Sequence, residues 1–149
     1  MKMIIPRPLK LEHKELHGEL VEAIKTSGAI GKAAEAVAKV LHPHFVREEE
    51  YALPPIGLLQ VLAKGKVSKD MKDVLVMTDK LKKDLPNMLK EHRAIVAKLK
   101  KLASTAKKGK RPEFAHFAEK LMIHAQTEEE VLYPVAILIG EFIKIKLQG

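Results

Sequence analysis

Residues 41–54, LHPHFVREEEYALP, and residues 121–134, LMIHAQTEEEVLYP, carry the same pattern of metal-ligand side chains at an offset of 80. They share Leu41 and Leu121, His44 and His124, the glutamates 48–50 and 128–130, and Pro54 and Pro134. Upstream of each stands a second matched pair, Glu12-His13-Lys14 and Glu91-His92-Arg93, with the histidines 79 apart. The chain is thus two halves of His…His-x-x-x-Glu. Four imidazoles and two carboxylates are the inventory of a two-metal carboxylate site. Nitrogen and oxygen donors of this kind suit iron, manganese or zinc. Two histidines per ion with two shared carboxylates favour a pair of irons over a single structural zinc.

The spacing decides which glutamates qualify. On a helix, residues four apart lie about 40° apart around the axis and one turn apart along it. His44 and Glu48 therefore share a face, as do His124 and Glu128. Glu49 and Glu129 are swung about 140° from the histidine of their own helix and are expected to face elsewhere. His13 and His17 are also four apart, which makes His17 a further metal-ligand candidate beside His13, His44, Glu48, His92, His124 and Glu128. A histidine at the edge of an apolar stripe is the competing reading of His17, and the spacing favours ligation.

Positioning these side chains calls for long helices. The chain has 149 residues, 46% hydrophobic and 31% charged, with only 4% aromatic and no cysteine. That length fits a single domain over residues 1–149 with a real core. The absence of cysteine excludes disulfides, thiolate zinc sites and iron–sulfur ligation. No signal peptide and no apolar run long enough for a membrane span is read, so a cytoplasmic protein without membrane contact is expected. The net charge is +8, with lysines crowded between Lys98 and Arg111. They alternate with Leu99, Leu102 and Ala103 as the solvated face of an amphipathic helix. No aromatic side chains are interleaved for base stacking, so nucleic acid is not the expected partner.

Apolar periodicity and breakers predict helices over about 9–26, 30–53, 69–108 and 112–147. Pro86 is expected to kink or split the third, and Pro134 to kink the fourth. Residues 56–65 are expected to form a short helix across one end. His13 to Ala29, in the first turn, is 16 residues, and Ala29 to His44 is 15; His92 to Gly109 is 17, and Gly109 to His124 is 15. In an antiparallel up-down-up-down four-helix bundle these counts put all four histidines at one level. The core bundle would span about 9–134, with the third and fourth helices extended beyond it and the C-terminal extension at 135–147. Residues 135–139 with Phe142 and Ile143 are apolar nearly all round, so either the 56–65 segment or a second subunit, in a homodimer, should cover them.

The order Glu12-His13, His44-Phe45-x-x-Glu48-Glu49-x-x-x-x-Pro54, Glu91-His92, His124-x-x-x-Glu128-Glu129-x-x-x-x-Pro134 resembles the hemerythrin-like (HHE cation-binding) domain family over residues 9–134. The resemblance implies an all-α bundle holding a non-haem di-iron centre, oxo- or hydroxo- and carboxylate-bridged, with manganese or zinc as less favoured occupants. His13, His44, His92 and His124 would be terminal ligands, Glu48 and Glu128 bridges, and an open position would take O2, NO or peroxide. Oxygen-carrying hemerythrins have a fifth histidine one turn after the ligand histidine of the third helix; here that residue is Val96. His17 occupies the mirror position on the first helix. With His17 as ligand the site has five histidines; without it, it is similar to the four-His, two-Glu variant of iron-centre repair proteins, which usually carry a cysteine-bearing domain.

Other polar residues carry weaker expectations. His42 is expected to be exposed, and His116, eight residues before His124, to lie near the metal face but two turns away, as a bystander. Tyr51 shares the face of Glu48 and either bonds a ligand or packs, with packing favoured. Glu12 and Glu91 point about 100° from their neighbouring histidines and are open to a supporting role or to solvent. The function expected is binding of, or reaction with, a small diatomic or peroxide ligand, in sensing, storage, scavenging or iron-centre maintenance. The alternative is a structural or metal-storage bundle without turnover.

Overall fold

The computed structural model describes residues 4–149, and those residues are helical with no strand among them. Helix α1 spans Arg7–Ile24, α2 Ala29–Arg47, the one-turn α3 Leu59–Ala63, α4 Lys72–Lys108, α5 Pro112–Thr127 and α6 Tyr133–Gln148. The first hairpin turns at Gly28, whose φ of 80° suits glycine. Helix α1 packs against α2 and α5, and α4 packs against α2 and α5, so four helices enclose one interior. The buried stripe of α1 (His13, Leu16, Leu20, Ala23) has the same spacing as that of α4 (His92, Ile95, Leu99, Leu102). With Val37, Leu41, Phe117 and Leu121 these aliphatic residues form the apolar layer on one side of the histidines. A second apolar layer, built from Tyr51, Leu53, Ile56, Leu81, Met88 and Tyr133, closes the other side.

The second and fourth predicted helices are not continuous. Each passes into a five-residue π-helical turn, Glu48–Ala52 after α2 and Glu128–Leu132 after α5, and each turn begins at the glutamate of the repeated motif. The backbone N–H of Leu53 donates to the Glu48 carbonyl at 2.9 Å, and that of Tyr133 to the Glu128 carbonyl. A proline follows at once in both copies, Pro54 and Pro134. A proline ring clashes with the carbonyl four residues back in an α register and brings no N–H to it; the wider turn removes that conflict. Pro86 has no such effect: α4 runs unbroken through it, with Pro86 and Lys82 on the exposed side where the freed carbonyl meets water.

Beyond the four-helix region α4 packs against α6. Lys82 pairs with Glu141 and Lys144 with Asp79 along that seam. A Cβ on Gly140 would fall 2.2 Å from Thr78 Oγ1, so glycine lets the two helices approach there. Of the two covers expected for the apolar α6, the 56–65 segment is seen: Leu58 and Leu62 pack with Met71, Val74, Ile139 and Ile143. Among the described residues no helix is long and apolar enough to cross a membrane.

Candidate metal centre

Six of the expected ligands converge. His13 comes from α1, His44 from the last turn of α2, His92 from α4 and His124 from the last turn of α5, while Glu48 and Glu128 open the two π turns. None is more than 5% exposed. Their donor atoms fall into two groups that share Glu128: His44, Glu48, His92 and Glu128 in one, His13, His124 and Glu128 in the other. In the first, Nε2 of His44 and Nε2 of His92 stand 2.9 Å apart, and Nε2 of His92 lies 3.1 Å from Glu128 Oε1. In the second, Glu128 Oε2 is 3.2 Å from His124 Nε2 and 3.7 Å from His13 Nε2, and Glu48 Oε1 is 3.8 Å from His13 Nε2. Each carboxylate therefore reaches toward both histidine pairs.

Nε2 of His13 and of His124, Oε1 of Glu48 and Oε2 of Glu128 are buried and take no hydrogen bond from the described residues. Buried polar atoms without partners are costly, at about 1–3 kcal/mol each and more for a charged group. Here they face one another across a gap of a few ångströms, as the lone pairs of a metal site do. Burial and the facing Glu128 push the Glu48 carboxyl well above the usual carboxylate range. Burial pushes Glu128 the same way, but the polar groups of Glu48, His124, His13 and His92 that face it hold it well below. As protein atoms alone the pair thus keeps one proton between them. Burial, reinforced by His92, lowers His44 to about 4. Burial also opposes charge on His124, but Glu128 and Glu12 more than offset it and raise that group.

The outer nitrogens of the histidines reveal a second ring of carboxylates. His44 Nδ1 is 3.0 Å from Glu91 Oε1, and Arg47 braces the other oxygen of Glu91. His92 Nδ1 is 3.0 Å from Glu129 Oε1, His124 Nδ1 bonds Glu12, and His13 Nδ1 lies 3.8 Å from Glu49 Oε1. Glu12 and Glu91 occupy matching places in the two halves, as do Glu49 and Glu129, so the arrangement follows the sequence repeat. An ionised carboxylate can only accept, so in His44, His92 and His124 Nδ1 carries the proton and the Nε2 lone pair points inward. Glu49 and Glu129 do turn from the histidine of their own helix, as expected, but toward a histidine of another. Replacing Glu91 by Ala should lower metal affinity about 10- to 100-fold, read by competition with a chelator. The same change at exposed Glu130 should leave affinity alone. Equal affinities in the two variants would deny the ring its orienting role.

His17 is not brought to this cluster. Its side chain is exposed and lines a surface cavity of about 310 Å³ with His13, His42 and Phe45. The buried stripe of α1 runs from His13 through Leu16, Leu20 and Ala23, all on one side of His13 around the axis; His17 lies about 40° to the other side. Phe45 stacks on His13 with ring centroids 4.1 Å apart and 10° between planes. His42 and His116 are exposed. Tyr51 is buried, with its hydroxyl on Asp84 and near Met88 Sδ.

One residue was missed from sequence. The Tyr133 hydroxyl donates to Glu48 Oε2 at 2.7 Å and lies 3.1 Å from Nε2 of both His44 and His92. Tyr133 follows Glu128 by five residues, about 140° away on an α-helix; the π turn, bonded from residue 133 back to 128, returns it to the glutamate's face. The proline after it was the available signal.

The family model for the hemerythrin HHE cation binding domain matches residues 6–136. No curated protein and no solved structure matches the chain significantly. The match spans both repeated motifs, all six converging side chains and the ring of carboxylates behind them. The chain belongs to the hemerythrin HHE cation-binding domain family.

Proposed function

We propose that this protein is a single hemerythrin-like domain, an up-down-up-down bundle, holding two iron ions that bind or react with O2, NO or peroxide. His13 and His124 hold one ion, His44 and His92 the other, and Glu48 and Glu128 bridge them. The observation that carries this reading is the set of buried, unpartnered nitrogen and oxygen atoms facing one another at 3.2–3.8 Å. Such a group is stabilised by cations, because two ions offset the desolvation of both carboxylates. Bound iron supplies a Lewis-acid and one-electron centre for a small ligand.

The protein's own contribution is positioning and access. The carboxylates of Glu91, Glu129 and Glu12 fix the imidazoles of His44, His92 and His124 in the tautomer that presents Nε2. Apolar layers above and below keep bulk water from the centre. Surface cavities reach the His13 and His124 side: one is bordered by His13 and Phe45, another by Glu12 and His124. Nothing among the described residues of the site resembles a nucleophile with its base. The test is optical and kinetic, on anaerobically reduced, iron-loaded protein. Reversible O2 or NO binding, or consumption of peroxide, is the expected result. An iron centre inert to all three would identify a structural or storage site and overturn the reading.

A further inference from the structure

We propose that Tyr133 is a protein ligand of the ion held by His44 and His92, through its phenolate oxygen. This rests on the two-metal reading above. The geometry carries it. Metal–ligand bonds of about 2.0–2.1 Å give neighbouring donors in an octahedron a separation of about 3 Å. His44 Nε2, His92 Nε2 and Tyr133 Oη form a triangle with sides of 2.9, 3.1 and 3.1 Å, which is the face of such an octahedron. Two further edges fit the same figure: Tyr133 Oη to Glu48 Oε2 at 2.7 Å, and His92 Nε2 to Glu128 Oε1 at 3.1 Å. Tyr133 is fully buried, and its hydroxyl is directed at these groups.

The repeat makes the inference sharper, because the two halves differ here. The residue 80 positions before Tyr133 is Leu53, set by the same i to i+5 bond on its own glutamate and equally buried. A hydrocarbon stands where the other half has an oxygen. The pair of ions is therefore inequivalent: five protein ligands on the His44/His92 ion and four on the His13/His124 ion. The four-ligand ion also has surface cavities beside it. The expected asymmetry from a fifth histidine is replaced by one from a phenol, on the opposite half. As the ion arrives the phenol gives up its proton to solvent, and the O–metal bond forms in its place.

The test compares wild type with Tyr133→Phe, both loaded with ferric iron. Wild type should show a visible phenolate-to-iron absorption and tyrosinate ring modes in resonance Raman; the variant should lose both while keeping its iron. With zinc, a redox-inert probe, wild type should release about one proton more per chain than the variant. Two irons bound by wild type with no tyrosinate modes would overturn the ligand role and leave the two-metal reading standing. Wild type that takes up no metal would overturn both. If the variant does not fold, the wild-type Raman spectrum alone decides.

Discussion

Replacing Glu128 by Ala is expected to take metal content from about two ions per chain to less than one, because its carboxylate belongs to both groups of donors. A terminal ligand such as His124 serves one ion, and His124→Ala should weaken one site before the other. Loss of Glu128 removes one of two bridges and leaves each ion with fewer anionic donors and stronger mutual repulsion. The metal-free variant should lose stability too. Glu128 is held ionised by the histidines that face it, so the metal-free Glu128→Ala chain leaves His124 without its main carboxylate and should unfold at a lower temperature than the metal-free wild type. Metal analysis after gel filtration reads the first effect and thermal unfolding the second. One ion retained with unaltered affinity in Glu128→Ala would show that Glu128 does not bridge.

That prediction leans on residues whose part was readable before any coordinates. His44 with Glu48 and His124 with Glu128 needed only the four-residue helical spacing. The common height of the histidines needed only residue counts to each turn, and the rings do stand together, with centroids 4.6 Å apart for His44 and His92 and 5.2 Å for His13 and His124. The carboxylates behind the rings were not readable. Glu12 sits beside His13 in sequence yet serves His124 on α5, and which helix faces which is a property of packing. Tyr133 was hidden by a change of period, since α geometry turns it away and the π turn turns it back. His17 stands apart from the cluster: a four-residue spacing places it on the same side as His13 but not inside the buried stripe, whose direction is set by Leu16, Leu20 and Ala23.

Metal removal is the second large effect expected. Each ion bound at about 100 times its dissociation constant adds about 2.7 kcal/mol. For a chain of this size two such sites amount to a rise in Tm on the order of 10 °C. The metal-free chain should also respond to pH in a way that follows from the shifted groups. Above about 6.5, raised Glu48 and raised His124 hold protons in the folded state that the unfolded chain releases, so stability falls as pH rises. Below about 4.5, Glu128, held low, resists a proton that the unfolded chain accepts, so stability falls as pH drops. Between them, His44 at about 4 makes the unfolded state bind a proton more while Glu48 makes the folded state bind one more; these slopes oppose. The metal-free form should therefore be most stable between about pH 4.5 and 6.5. Metal binding strengthens as the ligands lose protons. The gap in Tm between loaded and metal-free protein should widen from acid toward neutral pH. A gap that is constant across that range would mean that these buried groups do not hold the metal.

The most direct measurement of the central claim is iron stoichiometry with Mössbauer spectroscopy on the iron-loaded protein. Two carboxylate-bridged ions require about two irons per chain, magnetically coupled in the oxidised state, and the phenol on one side requires two distinct iron environments. A single, uncoupled iron per chain would contradict the account.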